Sequence, residues 1–111
     1  MRIWDVSPTI LCKNHLLGEH RELHAVWTVI SQDKKGYSKH PETLRWYGKL
    51  AALYKRHEAL VEEMSTRGYQ HNSPLDKKLA VGSVTQTLSV HTPEEQIEIL
   101  RAKKCECKLP T

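Results

Sequence analysis

Apolar residues recur along this chain with a helical period in three places and lose it between them. Leu16, His20, Leu23, Trp27 and Ile30 follow at spacings of four and three, which lays them along one face. They predict a first helix from about Asn14 to Ile30, with Asn14 as its cap or a start a little earlier, after Ser7-Pro8, and with Lys34-Lys35-Gly36 as its stop. A longer stripe of Trp46, Leu50, Leu53, His57, Leu60, Val61 and Met64 predicts an unbroken second helix from Pro41 to Arg67. Pro41 suits its first position and Gly68 its C-terminal cap. Arg45, Lys49, Arg56 and Glu63 fall around the opposite side, a solvated face or a partial phosphate-contacting face. Thr92-Pro93-Glu94-Glu95 opens a third helix, which carries Ile97, Ile99 and Leu100 and ends at Lys103-Lys104. Between Tyr69 and Thr92 the pattern is irregular, and Leu79 to Val90 reads as a weak strand. One strand cannot build a sheet, so the expected class is all-α. Residues 1–111 should form a compact single domain of three main helices with irregular connecting loops.

Composition narrows the function classes. No apolar run approaches the about 18 residues of a membrane span, and Met1-Arg2-Ile3-Trp4-Asp5 lacks the apolar stretch of a secretory signal. The net charge of +4 is compatible with a nucleic-acid partner. Cys12, Cys105 and Cys107 make an odd count, which points to reduced thiols and a cytoplasmic location.

Candidate chemistry concentrates in the first helix. At about 100° per residue, His15, Glu19 and Glu22 share a face set apart from the apolar stripe. Gly18 and Ala25 flank Glu22 and leave room for close approach, beside Asn14 and Arg21. A carboxylate in an open notch next to an arginine is either an ordinary charged helix face or a reactive site. His20 and His24, four residues apart, could share a metal ion as in a metal-dependent hydrolase; the simpler reading is that they cap the rim of the stripe. His57 reads as a core-edge histidine. Cys105-Glu106-Cys107 is too sparse for a structural zinc site unless histidines join it.

The run His15-Leu16-Leu17-Gly18-Glu19-His20-Arg21-Glu22-Leu23 resembles the first-helix signature of the phage-type pyrimidine-dimer DNA glycosylases, the endonuclease V family. The likeness continues through Lys49-Leu50, Leu53, Lys55-Arg56 and Arg67-Gly68-Tyr69 and returns between Ile97 and Lys103. The resemblance implies an all-α enzyme of DNA repair that acts on ultraviolet-damaged double-stranded DNA as glycosylase and abasic-site lyase. It implies a catalytic pair: the N-terminal α-amine, here of Met1, as nucleophile, and the first-helix glutamate, here Glu22. Arg21 matches a DNA-contacting arginine, Arg2 a basic residue beside the amine and His15 a histidine near the site. Lys49 and Lys103 join Arg2 and Arg21 as expected phosphate contacts. The implied chemistry passes through an imine and needs no cofactor, and a monomer is expected. A non-catalytic module that binds damaged DNA is the alternative. The chain departs from the family's type member at Ala25, where that protein has an arginine, and it lacks the aromatic and basic tail.

An α-amine suits the role, because its reference pKa of about 7.7–8.0 leaves a neutral fraction near neutral pH. Arg2 and Arg21 should favour the neutral form further, while Glu22 opposes them. Methionine removal generally requires a small second residue, so with Arg2 in that place Met1 is expected to be retained.

Overall fold

The two longest periodic stretches become the helices that make the core. The computed structural model describes residues 2–33, 39–70, 74–103 and 107–108. In it α1 spans Lys13–Ser31, α2 Pro41–Leu44, α3 Leu50–Thr66 and α4 Pro93–Ala102, with 3-10 turns at Pro8–Ile10 and Lys77–Leu79. The molecule is all-α, as the periodicity predicts. The stretch read as a weak strand contributes a lone antiparallel bridge, Lys49 to Gly82, and no strand forms among the described residues. No helix among them is long and apolar enough to cross a membrane.

Leu16, Leu23, Val26 and Trp27 of α1 share one core with Leu50, Leu53, Leu60 and Met64 of α3, and Leu100 of α4 closes one side. Each such leucine removed from water stabilises the fold by about 1.5–3 kcal/mol. The buried arc of α1 is wider than the expected stripe, because it also takes in Glu19, Val26 and Val29. α3 covers one side of α1, and the extended N-terminal segment covers another through Ile3, Trp4 and Val6. The cap of α1 is Cys12, two residues before the expected Asn14. The helix ends at Ser31, with Asp33 in the left-handed region at φ 52°. The expected stop at Lys34-Lys35-Gly36 lies outside the described residues.

The helix expected from Pro41 to Arg67 is broken in two. Gly48 takes a left-handed φ of 74°, and the chain turns before α3 begins. The first-turn donors of α3 are met from the 81–83 segment: Ala51 N donates to Val81 O and Ala52 N to Ser83 O, each at 3.0 Å. Ser83 N in turn donates to Gly48 O at 2.9 Å. Gly82 makes this approach possible, because a Cβ there would collide with the Gly48 carbonyl. The break also redirects Arg45. A continuous helix would hold it on the outer face, but it is only 5% exposed and points into the molecule.

The start of α4 matches its sequence signal. Thr92 Oγ1 accepts from Glu95 N at 3.1 Å, and the Glu95 carboxylate accepts from Thr92 N at 3.0 Å, a reciprocal cap. The helix stops at Ala102, so Lys103 is its C-terminal cap, and Lys104 lies outside the described residues.

Candidate active site

Residues 2–6 run through the core with no strand beside them, so their backbone groups need partners from side chains. Four buried or half-buried polar residues provide these. Glu42 Oε1 accepts from Ile3 N at 3.1 Å, and Arg45 Nη2 donates to Ile3 O at 2.7 Å. Gln96 Oε1 accepts from Asp5 N at 2.7 Å, and Arg56 Nη1 donates to Val6 O at 2.8 Å. Arg45 is the hub: its guanidinium also pairs with Glu42 and with Asp5, at 2.7 and 3.1 Å, and donates to Leu88 O. The charged face expected on the second helix is thus an internal clamp, and Glu63 likewise pairs with Arg67 at 2.8 Å.

At the end of this clamped segment opens a cavity of about 500 Å³, lined by Arg2 and Trp4, by Asn14, His15, Gly18, Glu19 and Glu22 of α1, and by His40 and Lys103. Four of the residues expected to act in catalysis or DNA contact, Arg2, His15, Glu22 and Lys103, therefore meet on one wall system, with Asn14, Gly18 and Glu19 of the expected notch beside them. Arg21 is exposed next to Glu22 but does not line the cavity. Lys49 sits at the helix break, where its Nζ donates to Gln86 Oε1 at 2.6 Å, away from the lining. Met1 lies outside the described residues. His20 and His24 are joined by His57, with ring centroids 4.6–5.1 Å apart. His57 is fully buried, deeper than the core edge expected for it, and none of the three lines the cavity.

The two carboxylates on the wall are in different situations. Glu19, expected on an open face, is 2% exposed. Arg56 grips it with two donors, at 2.6 and 2.9 Å, and the Trp4 backbone N–H also donates to it. Burial pushes its pKa above the ordinary carboxylate value, against the opposing pull of Arg56 and the Trp4 N–H. Its bonds fasten α3 and the N-terminal segment to α1. Glu22 is half-buried, and among the described residues no hydrogen bond or ion pair engages its carboxylate. A Cβ built on Gly18, one turn earlier, meets nothing within 4 Å, so the space beside Glu22 is open.

Apart from Asn14 and Gly18, the rest of the lining is cationic or aromatic. The Arg2 guanidinium lies 5.0 Å over the Trp4 ring and bonds His91 Nδ1 at 3.2 Å. His15 packs edge-on against Trp4, with centroids 5.9 Å apart. Partial burial, and then the charge of Lys103, hold the His15 pKa below its usual value, which keeps the ring neutral near pH 7. Such a set can hold a phosphate backbone at Arg2 and Lys103 and turn one uncommitted carboxylate toward a developing positive charge.

Sequence reasoning missed Trp4 and His40 as wall residues, and it placed Glu19 on the right face but in the open. Ile3, Trp4 and Val6 carry no helical period, and their non-periodic apolar run was the signal for a buried extended segment. His40 could have been found from Pro41: it is the cap of α2, and its Nδ1 accepts from Glu42 N at 3.1 Å.

Against known proteins, no curated protein and no solved structure shows a significant match. A family model described as pyrimidine dimer DNA glycosylase matches residues 1–77. That range holds the clamped N-terminal segment, α1, the helix break and α3, and thus the whole cavity wall except Lys103. With more than half of its length matched, the chain belongs to the pyrimidine dimer DNA glycosylase family.

Proposed function

We propose that this protein excises dimerised pyrimidines from ultraviolet-damaged duplex DNA and then cleaves the strand at the abasic sugar, acting as a monomer. The nucleophile is the α-amine of Met1. Its neutral lone pair attacks the anomeric carbon of the damaged nucleotide, and the carbon–nitrogen bond to the base breaks. Loss of the amine proton and opening of the sugar ring give a cationic imine. That charge acidifies the neighbouring sugar hydrogen; its removal expels the 3′ phosphate by β-elimination, and water finally releases the amine. Glu22 stabilises the oxocarbenium-like charge and carries protons. Arg2 and Lys103 position phosphates, with Arg21 extending the contact along α1.

The observation that carries this reading is the division of labour on the cavity wall. Glu19 is bound into the fold by Arg56, whereas Glu22 lines the open cavity together with the cationic Arg2 and Lys103. The residue that follows Met1 in the chain lines the same cavity.

Borohydride reduction tests it on a duplex with one defined pyrimidine dimer and on one with an abasic site. The protein should become covalently trapped on both, and Glu22→Gln should bind both while cleaving about 10²–10⁴-fold more slowly. A protein that binds the dimer duplex yet never traps or nicks either DNA would be a binding module, and the enzymatic reading would be lost.

A further inference from the structure

One cluster of reactive side chains is left over once the cavity chemistry is assigned. Cys12 caps α1, His15 stands one turn further along it, and Cys107 belongs to the segment beyond α4. Though more than 90 residues separate Cys107 from the other two, one ligand atom of each lies within 4.8 Å of the others. Nδ1 of His15 is 3.2 Å from Cys12 Sγ and 3.2 Å from Cys107 Sγ. We infer that Cys12, His15 and Cys107 form a binding site for a zinc-class divalent ion, which fastens the C-terminal segment to the start of α1.

Geometry, chemistry and position all favour this. Zinc bonds to sulfur and nitrogen set such donors about 3.5 Å apart around a tetrahedral ion, so each sulfur needs to draw away from His15 Nδ1 by only a few tenths of an ångström. Two thiolates and an imidazole select zinc, cobalt or copper over magnesium or calcium. The Cys12 backbone N–H points at Cys107 Sγ, 3.1 Å away, so the sulfur already sits where a donor orients it. Each thiol that coordinates gives its proton to solvent, and no oxidant or reductant is involved. The Cys107 segment is already seated, because Lys108 N donates to Ile10 O at 2.7 Å.

The ion would act as a staple beside the cavity and take no part in the imine steps. His15 is a wall residue, and Lys103, four residues before Cys107, is another. Holding Cys107 to His15 therefore holds both ends of that wall. The matched family range stops at residue 77, so Cys107 and Lys103 lie beyond it. The site does not depend on the proposed reaction.

Cobalt titration tests it. The full-length protein, reduced and stripped of metal, should take up one Co²⁺ with the visible bands of a tetrahedral site and a near-ultraviolet thiolate-to-cobalt band, and Zn²⁺ should displace it. Cys12→Ser and Cys107→Ser should each weaken the charge-transfer band and cost at least about tenfold in affinity. His20→Ala with His24→Ala should leave the band unchanged, because the second histidine cluster has no sulfur. Cobalt bound by the unaltered protein without a charge-transfer band, or a band that survives intact in Cys12→Ser, would overturn the assignment. Neither outcome depends on cleavage of DNA.

Discussion

At the residue scale, the account turns on two glutamates one turn apart with opposite fates. Glu19 is held inside the fold by its bidentate pairing with Arg56. Replacing one partner of a buried pair strands the other, at a cost of about 3–5 kcal/mol. Arg56→Met should therefore lower stability by that order at pH 7, measured by urea unfolding. The sign of the pH dependence follows from the raised pKa of Glu19. The Arg56 hydrogen bond and charge both hold that pKa down, so their loss raises it further. As the pH falls, the folded variant takes up the proton before the unfolded chain does, and its deficit should shrink as the solution is made more acid. A deficit that is flat or grows would mean Arg56 acts through Val6 O alone. Gly18 offers the converse case. With open space at its Cβ position, Gly18→Ala should stabilise the helix by about 0.5–1 kcal/mol and yet slow cleavage, because the methyl enters the cavity beside Glu22. A rise in thermal midpoint with cleavage unchanged would move the substrate out of this cavity.

At the element scale, the legibility of the sequence follows from where each element finds its partners. α1 and α4 were readable because their signals are local: an apolar stripe in one, and Thr92-Pro93-Glu94-Glu95 in the other. The break at Gly48 was not, because it is held from a distance, by the carbonyls of Val81 and Ser83 and by a glycine at position 82. An unbroken apolar stripe is equally compatible with one helix or two. The same reason hid the role of Arg45. Its partners Asp5, Ile3 and Leu88 lie about 40 residues away on either side, so periodicity could only place it opposite the apolar face. Glu22 and His15 were legible as site residues because a helix brings them to one face with Gly18; Trp4 and His40 come from non-periodic chain and needed the fold. The cap of α4 gives a prediction of its own. Hydrogen bonds from the Thr92 backbone, and then from its side chain, hold the Glu95 carboxyl below the ordinary value. A depressed folded pKa contributes stability above the unfolded value, and the contribution is lost as the pH falls through the folded one. The difference in melting temperature between the unaltered protein and Glu95→Gln should be largest near neutrality and vanish in acid. A difference that persists unchanged below pH 3 would assign the effect to something other than ionisation.

At the scale of the whole molecule, the fold is a device for holding one end of the chain against one helix. Arg45, Glu42, Gln96 and Arg56 fix the backbone of residues 3–6, and the core of α1 and α3 fixes Glu22 and Arg21 relative to them. A binding face of this kind should be strongly salt-dependent. Lys103 is exposed on the cavity rim, so Lys103→Ala should weaken binding to any duplex and reduce the salt slope by about one. Lys49, tied to Gln86, should change the slope less; the reverse ranking would place the DNA on the other side of α3. The central claim, that Met1 is the nucleophile, is met most directly by locating the covalent bond. The protein is trapped by borohydride on a duplex with a single dimer, the complex is digested with nuclease and protease, and the modified peptide is sequenced by mass spectrometry. The account predicts a reduced sugar remnant on the α-amine of the N-terminal peptide, and loss of that adduct when residues are added before Met1. A remnant on a lysine, with Lys13 and Lys49 the first to be inspected, would contradict it, as would trapping at full rate by the extended protein.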